Sequence, residues 1–302
     1  MSSNRILALV VTYNRLALLK QCLESLFAID EPPFDILVVD NASSDGTKEY
    51  LASLPNVQAL ALETNLGGAG GFHMGFKYAY ERGYDYLWAM DDDTLPNADS
   101  LRELYEAAIE DEDAHSFYAS LVYALDGKLA KMNNCLLVEG GISTRKEEIE
   151  CRDAYPIFTA TFVSFFMKVS LLKEYGLPIK EMFLWSDDTE FTSRLCKRAP
   201  GLLITKSKVL HQVKENVGTD LGFIPLERLD RMRMNIRNRY YIARRDGIKK
   251  KCRFYARHFV LFWKVLFQAK DHRFKRAGVI FKGIKDGYGF RPMVEFPGEP
   301  IR

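Results

Sequence analysis

The five cysteines, Cys22, Cys135, Cys151, Cys196 and Cys252, are odd in number and widely spaced, and no two form a Cys-x-x-Cys pair. This argues against both a zinc site and a disulfide framework, and reduced thiols in cytosol are expected. No apolar run approaches the ~20 residues that cross a bilayer. Met1-Ser2-Ser3-Asn4-Arg5 leads straight into an apolar stretch, unlike a signal peptide. Internal repeats and low-complexity tracts are lacking as well. The 302 residues are 47% hydrophobic, which is ample for the core of one large α/β domain with an extension, or of two domains.

Against this background one cluster stands out. Asp91, Asp92 and Asp93 follow directly on Tyr84-Asp85-Tyr86-Leu87-Trp88-Ala89-Met90, a run with the length and aromatic content of a buried strand. Three adjoining carboxylates inside a core each cost several kcal/mol or shift their pKa, so they want a counter-cation. Hard oxygen ligands without nearby thiolates suit Mg²⁺ or Mn²⁺. The plainer alternative is an acidic turn capping a helix that begins near Ala98.

The segments before this cluster alternate between strand and helix. Ile6–Val11, Phe34–Val39 and Val57–Leu62 read as strands, with the aspartate run as the fourth. Leu16–Phe27, with Leu19, Leu23 and Leu26 at helical spacing, and Phe72–Arg82 read as helices. That alternation predicts a mainly parallel sheet whose polar residues gather at the strand carboxyl ends. The run Asn65-Leu66-Gly67-Gly68-Ala69-Gly70-Gly71 is expected to be a loop. It follows the third strand and not the first, which excludes a dinucleotide fingerprint. Its glycines permit close backbone approach to an anion, or simply make a turn.

A second acidic group, Trp185-Ser186-Asp187-Asp188-Thr189-Glu190, precedes an amphipathic helix running to Arg198. It reads either as a helix N-terminus or as the seat of a general base. His211 follows the strand-like Leu203-Ile204-Thr205 and, if not merely structural, completes a metal site with Asp91 and Asp93.

The ordered set Val10-Val11-Thr12-Tyr13-Asn14-Arg15, Val38-Val39-Asp40-Asn41-Ala42-Ser43-Ser44-Asp45-Gly46-Thr47, Asn65–Gly71 and Asp91-Asp92-Asp93 resembles the family 2 glycosyltransferases of the GT-A fold. The likeness covers roughly residues 5–215 and, with the Trp185–Glu190 group and His211, is most similar to bacterial galactofuranosyltransferases. It implies that Thr12, Arg15, Asp40 and Asn65 border the nucleotide and that Asp92 lies near the ribose or diphosphate. It further implies that Asp91, Asp93 and His211 hold Mn²⁺ or Mg²⁺ and that Asp188 is the catalytic base. Trp185, Asp187 and Glu190 are then expected on the acceptor or sugar. The reaction implied is inverting transfer from UDP-galactofuranose. A rhamnosyltransferase with a deoxythymidine donor is the alternative. A sugar nucleotidyltransferase lacks support, because no Gly-rich basic loop follows the first strand. A non-catalytic adaptor is at odds with the intact Asp91, Asp93, Asp188 and His211.

The net charge of +2 conceals a strong asymmetry: residues 228–285 hold nineteen Lys or Arg against three Asp or Glu. A catalytic domain over residues 1–222 and a helical basic region over 223–302 are expected. The latter carries His258-Phe259-Val260-Leu261-Phe262-Trp263-Lys264-Val265-Leu266-Phe267, too short to span a membrane but apolar enough to enter its interface. One apolar block amid basic residues favours an anionic membrane over nucleic acid. The expected setting is the inner face of the cell membrane, with a lipid-linked glycan as acceptor. Packing on the catalytic domain or on a second subunit of a homo-oligomer is the competing reading of this block.

Overall fold

The computed structural model describes residues 4–139, 149–213, 216 and 221–298. In chain order its elements are β1 (Ile6–Thr12), α1 (Leu16–Phe27), β2 (Asp35–Asp40), α2 (Thr47–Ala52), β3 (Val57–Ala61) and α3 (Gly67–Glu81). Then come β4 (Tyr86–Asp91), β5 (Thr94–Pro96), α4 (Ser100–Glu110), β6 (Tyr118–Ala124), β7 (Leu136–Leu137), β8 (Ala154–Thr159) and β9 (Phe165–Lys168). They are followed by α5 (Leu172–Tyr175), α6 (Asp187–Leu195), β10 (Gly201–His211), α7 (Leu229–Arg245), α8 (Ile248–Gln268) and α9 (Arg273–Gly289).

The strands form one sheet in the order β3-β2-β1-β4-β9-β6-β10-β8-β7, with β5 paired to β10. β3, β2, β1 and β4 run parallel, whereas β9 lies antiparallel between β4 and β6. The chain builds outward from β1 through β2 to β3, then crosses back to place β4 on β1's other side. The carboxyl ends of β1 and β4 thus meet at a topological switch point, where a crevice opens in folds of this kind. The register sets Val11 beside Asp91 and Thr12 beside Asp40.

β1 is apolar throughout because both its faces are covered. Leu7, Leu9 and Val11 pack with Phe72 and Phe76 of α3 and with Phe162, Phe165 and Phe191. Ile6, Ala8 and Val10 point the other way, onto Leu19, Leu23 and Leu26 of α1 and Leu101 and Leu104 of α4. The Phe76 and Phe191 rings meet edge to face at 5.3 Å, which ties α3 to α6.

Two expectations are corrected by this architecture. The glycine run is not a loop before a helix at Phe72: helix α3 begins at Gly67. A Cβ at Gly71 would lie 2.4 Å from Val11 Cγ1, so glycine lets the helix settle on β1 despite its poor helix propensity. The residues after the aspartates do not run straight into the helix expected near Ala98. Thr94–Pro96 is drawn into β5 by pairing with Val209–His211, and α4 starts at Ser100.

The C-terminal helices bury a core of their own around Met232, Ile236, Tyr240, Phe254, Val265 and Ile280. The apolar block of α8 divides by face. Val265 is buried and Leu261, Phe262 and Leu266 pack inward, whereas Phe259, Val260, Trp263 and Phe267 are exposed. Beyond α9 the chain returns as a strap to the body built on the sheet. Glu295 accepts bonds from Lys77 (2.7 Å) and Lys180 (3.0 Å), its backbone oxygen accepts from Leu177, and His73 Nε2 lies 3.2 Å away. Burial holds the His73 imidazole below its ordinary value, so the lysines carry this pairing at neutral pH. Partial burial of Glu295 opposes its ionisation, but Lys77 and Lys180 outweigh it and hold the carboxyl at about 2. A depressed carboxyl stabilises the fold above its unfolded value of 4.5 and loses that contribution as pH falls toward about 2. Glu295→Gln should therefore cost about 1–2 kcal/mol in urea unfolding at pH 7. The gap from the unmodified protein should close between pH 4.5 and about 2; a gap independent of pH would show that the lysine pairing is not its source.

Candidate functional site

At the switch point the three aspartates take three different roles. Asp92 is buried, and its carboxylate accepts from Thr12 Oγ1 (2.7 Å) and Arg15 Nη1 (3.2 Å). Burial pushes it up to about 6 even against the pull of Arg15. Asp93 accepts from the same Arg15 nitrogen at 2.9 Å through Oδ2. Burial raises Asp93 too, but His211 and Arg15 more than offset it and leave the carboxyl below its usual range. Asp91 makes no hydrogen bond to any described residue, and burial together with the Asp93 and Asp92 charges pushes it well up. Arg15 is the cation that makes this cluster tolerable, and it remains half exposed while doing so.

β10 delivers His211 to the same point from the far side of the sheet. Its Nε2 lies 3.1 Å from Asp93 Oδ1. Asn133 Nδ2 donates to Thr161 Oγ1 at 2.8 Å, so Asn133 Oδ1 faces His211 and accepts from Nδ1 at 2.8 Å. That bond fixes Nδ1 as a donor, so Nε2 is the nitrogen that carries a proton toward Asp93 or, once that proton is gone, a lone pair toward a metal. Asp93 Oδ1 is buried and has no aligned hydrogen-bond partner. With the Nε2 proton displaced, two electron-pair donors at this spacing suit two ligands of one divalent cation. The residues present fit such an ion, with Asn133 as the outer support. Among the described residues no three His, Cys, Asp or Glu side chains close on one metal-sized point, so Asp91 stands to the side of the Asp93–His211 pair.

The second acidic group sits on an unusual corner. Phe183, Trp185 and Ser186 have positive φ of 63°, 65° and 65°, a backbone region that non-glycine residues adopt at a cost. The corner is gripped from both sides. Gly67 leaves room for Phe183, whose carbonyl oxygen would sit 2.0 Å from a Cβ there, and Ala69 N donates to that same oxygen. From α7, buried Asn238 donates through Nδ2 to the carbonyls of Met182 (3.0 Å), Leu184 (3.2 Å) and Trp185 (2.8 Å). Asn235 Oδ1 accepts from Ser186 Oγ at 2.8 Å, and Arg237 donates to Glu181 and Met182. Helix α6 starts directly after the corner.

Asp187 is buried, and burial followed by the Asp188 charge pushes it up to about 8. Asp187 is also among the groups that raise Asp91. Asp188 turns Oδ1 onto Thr189, accepting from its backbone N (2.5 Å) and Oγ1 (3.1 Å). Burial raises Asp188, with Thr189 and Arg239 acting against that. Glu190 does not face an open crevice: it is 0% exposed, and both of its oxygens are engaged by Arg194 and Arg245. Desolvation of this carboxylate is offset by two guanidiniums, and the three-way pair bolts α6 to α7.

The structure brings Thr12, Arg15, Asp92, Asp93 and His211 into one connected network. Asp40 and Asn65 lie at neighbouring chain ends, where they brace turns: Asp40 Oδ1 accepts from Ser43 N, and Asn65 Oδ1 from Gly67 N. Trp185 is half-buried against the helical region. Sequence reasoning missed Asn41, Asn133, Asn235 and Asn238. Asn41 joins the switch point to α3, donating to Gly67 O (2.7 Å) and accepting from Leu66 N (2.8 Å). A single asparagine carries no pattern, and each of these acts on residues distant in sequence. Asn238→Ala would leave the Leu184 and Trp185 carbonyls unmet at a corner that is already strained, so it should lower stability by about 1–3 kcal/mol. Where the variant remains folded, it should reduce turnover more than nucleotide affinity, because Asp187 and Asp188 shift while the network around Thr12 does not. Equal loss in both measurements would mean the whole crevice collapses.

Residues 8–176 match the family described as glycosyl transferase family 2. Among curated proteins, the galactofuranosyltransferase GlfT1 of Mycolicibacterium smegmatis is 27% identical over 201 residues, covering 63% of this chain and 65% of that protein. The undecaprenyl-phosphate mannosyltransferase of Micrococcus luteus is 38% identical over 107 residues, 34% of this chain and 44% of its own. The chain thus spans under two thirds of these relatives' lengths. Among solved structures, the mannosyltransferase PcManGT of Pyrobaculum calidifontis, in complex with GDP-Man and Mn²⁺, superposes with a TM-score of 0.58 at 16% identity, covering 91% of this chain and 73% of that one. The fold is therefore of the GT-A kind, with a mainly parallel central sheet and a helical basic C-terminal region. Because the family match takes in more than half of the residues, the protein belongs to glycosyl transferase family 2.

Proposed function

We propose that this glycosyltransferase moves galactofuranose from UDP-galactofuranose to a lipid-linked glycan, inverting the anomeric centre, at the inner face of the cell membrane. The observation that carries the reading is the facing pair of Asp93 Oδ1 and His211 Nε2, 3.1 Å apart, at the carboxyl end of β4. Asp93 and His211, with Asp91 beside them, hold Mn²⁺ or Mg²⁺. When bound, the ion offsets charge on the departing diphosphate. Thr12, Arg15, Asp40, Asn65 and Asp92 border the nucleotide. Arg15, half exposed beside Asp92 and Asp93, would pair with the donor's phosphates. Asp188 removes the proton of the acceptor hydroxyl as that oxygen attacks the anomeric carbon and the diphosphate leaves. Asp187 and Trp185 border the sugars. Glu190 serves the same end indirectly, by fixing the helix that carries both aspartates.

Support for a membrane setting comes from the exposed side of α8. Phe259, Trp263 and Phe267 stand one turn apart with ring centroids 6.2 and 5.8 Å from each other. They rise from a strongly basic segment, the make-up of a helix that lies in an anionic interface. Among the described residues no helix is long and apolar enough to cross a membrane.

Two experiments test the catalytic assignments. EDTA should abolish release of nucleotide diphosphate in a screen of nucleotide sugars with lipid-linked acceptors, and Mn²⁺ should restore it. Asp93→Ala should weaken donor binding together with turnover; unchanged activity in metal-free protein would overturn the metal site. Asp188→Asn should lower turnover about a hundredfold or more, the usual scale for loss of a general base. Calorimetry should show donor affinity nearly unchanged. Loss of donor binding with turnover retained would make Asp187 the better base.

A further inference from the structure

Helix α7 carries five arginines between residues 233 and 245. Four of them are engaged. Arg233 pairs with Asp286, Arg237 binds the corner carbonyls, Arg244 donates to Phe290 O, and Arg245 pairs with Glu190 and Asp246. Arg239 is exposed and has no hydrogen bond or ion pair to any described residue. It lies one turn along from Asn235, the residue that holds Ser186, and so on the face of α7 that meets the corner.

Helix α8 brings a second cation to this place. The Tyr240 ring meets Phe254 at 5.5 Å, and Phe254 stacks on His258 at 3.8 Å. That packing sets the turn of α8 that leads to Arg257 and His258 against the turn of α7 that holds Arg239 and Tyr240. Arg257 is also exposed and without a partner among the described residues. Arg257 and Asp188 both act electrostatically on Arg239, and His258 feels the two arginines. The carboxylate in reach is Asp188, whose Oδ1 is already committed to Thr189.

Two like charges held together at the mouth of a site, with less than one carboxylate between them, make a place for an anion. Planar guanidiniums favour phosphate oxygens, which they bind through two parallel bonds. This place is separate from the donor's diphosphate site. Neither arginine bonds to a residue of the network around Thr12 and Asp92, whereas Arg239 feels the charge of Asp188. The base thus stands between a donor side and a second side that is positive. The exposed aromatic side of α8 begins at Phe259, immediately after His258.

We propose that Arg239 and Arg257 bind a phosphate or diphosphate ester carried by the acceptor, and so register its reacting hydroxyl against Asp188. The inference rests on the transferase reading above and adds the chemical class of the acceptor's anchor.

The test uses farnesyl diphosphate as probe and calorimetry in EDTA, which disables the donor's metal-dependent diphosphate site. The full-length protein should bind it. Arg239→Gln and Arg257→Gln should each weaken binding about tenfold, the scale of one charge-assisted contact. Lys282→Gln, the same charge change on exposed α9, should have little effect. Unchanged melting temperatures would show that the variants are folded. Sedimentation with phosphatidylglycerol vesicles separates an acceptor phosphate from a bulk headgroup, and the Arg239 variant should sediment like the unmodified protein. The proposal is overturned if the unmodified protein ignores the probe, if all three variants weaken binding equally, or if Arg239→Gln loses vesicle and probe binding in parallel. Titration with UDP and Mn²⁺ reports separately on the transferase reading. Nucleotide binding without probe binding would sink this inference alone.

Discussion

The strained corner from Phe183 to Ser186 is the constraint on which the rest of the site depends. Three residues there occupy a backbone region that costs each of them on the order of 1 kcal/mol or more. Only surroundings that over-determine the conformation can hold it. Those surroundings come from the start of α3, where Gly67 makes room for a carbonyl, and from α7, where Asn238 meets three carbonyls at once. The corner in turn aims α6, and α6 aims Asp187 and Asp188. Through Glu190, Arg194 and Arg245 the same helix is fixed a second time. The helical region is therefore part of the catalytic framework, although none of its residues lies in the network around Thr12 and Asp92.

Charge compensation is the second theme. The carboxylates at the end of β4 are held in the interior by Arg15, Thr12 and His211, and the compensation is incomplete, because Asp93 Oδ1 is left without an aligned partner. A structure stable in this form still has electrostatic work left for a cation. Arg15, half exposed, faces both the cluster and the crevice, and its loss without a replacement cation would leave Asp92 and Asp93 uncompensated.

Much of this was legible in the residues. The continuous apolar run of β1, the 3.6-residue spacing of α1 and the aspartates ending β4 are local patterns, and local patterns survive folding. His211 was readable as a candidate because few residue types combine with carboxylates around a hard cation. What could not be read was non-local. Five glycines argue against a helix by propensity, yet Gly71 packs on Val11 and the helix forms. Thr94–Pro96 resembles a helix entry until β10, more than a hundred residues away, pairs with it. The block Phe259–Phe267 is uniform as a string. Only the helical turn divides it into a packed side and a bare one. Glu190 looks like a site residue by its neighbours, and only the two arginines reveal it as a bolt.

The placement of Asn238 and Glu295 has a consequence for the chain as it leaves the ribosome. Every residue of the carboxylate network has been made by residue 211, but the corner that positions Asp188 waits for α7, and the strap waits for residue 295. A nascent chain can assemble the β1–β4 crevice while its base is still unplaced. On the roles proposed above, the residues of the nucleotide side come together during synthesis before those of the acceptor side are fixed in place.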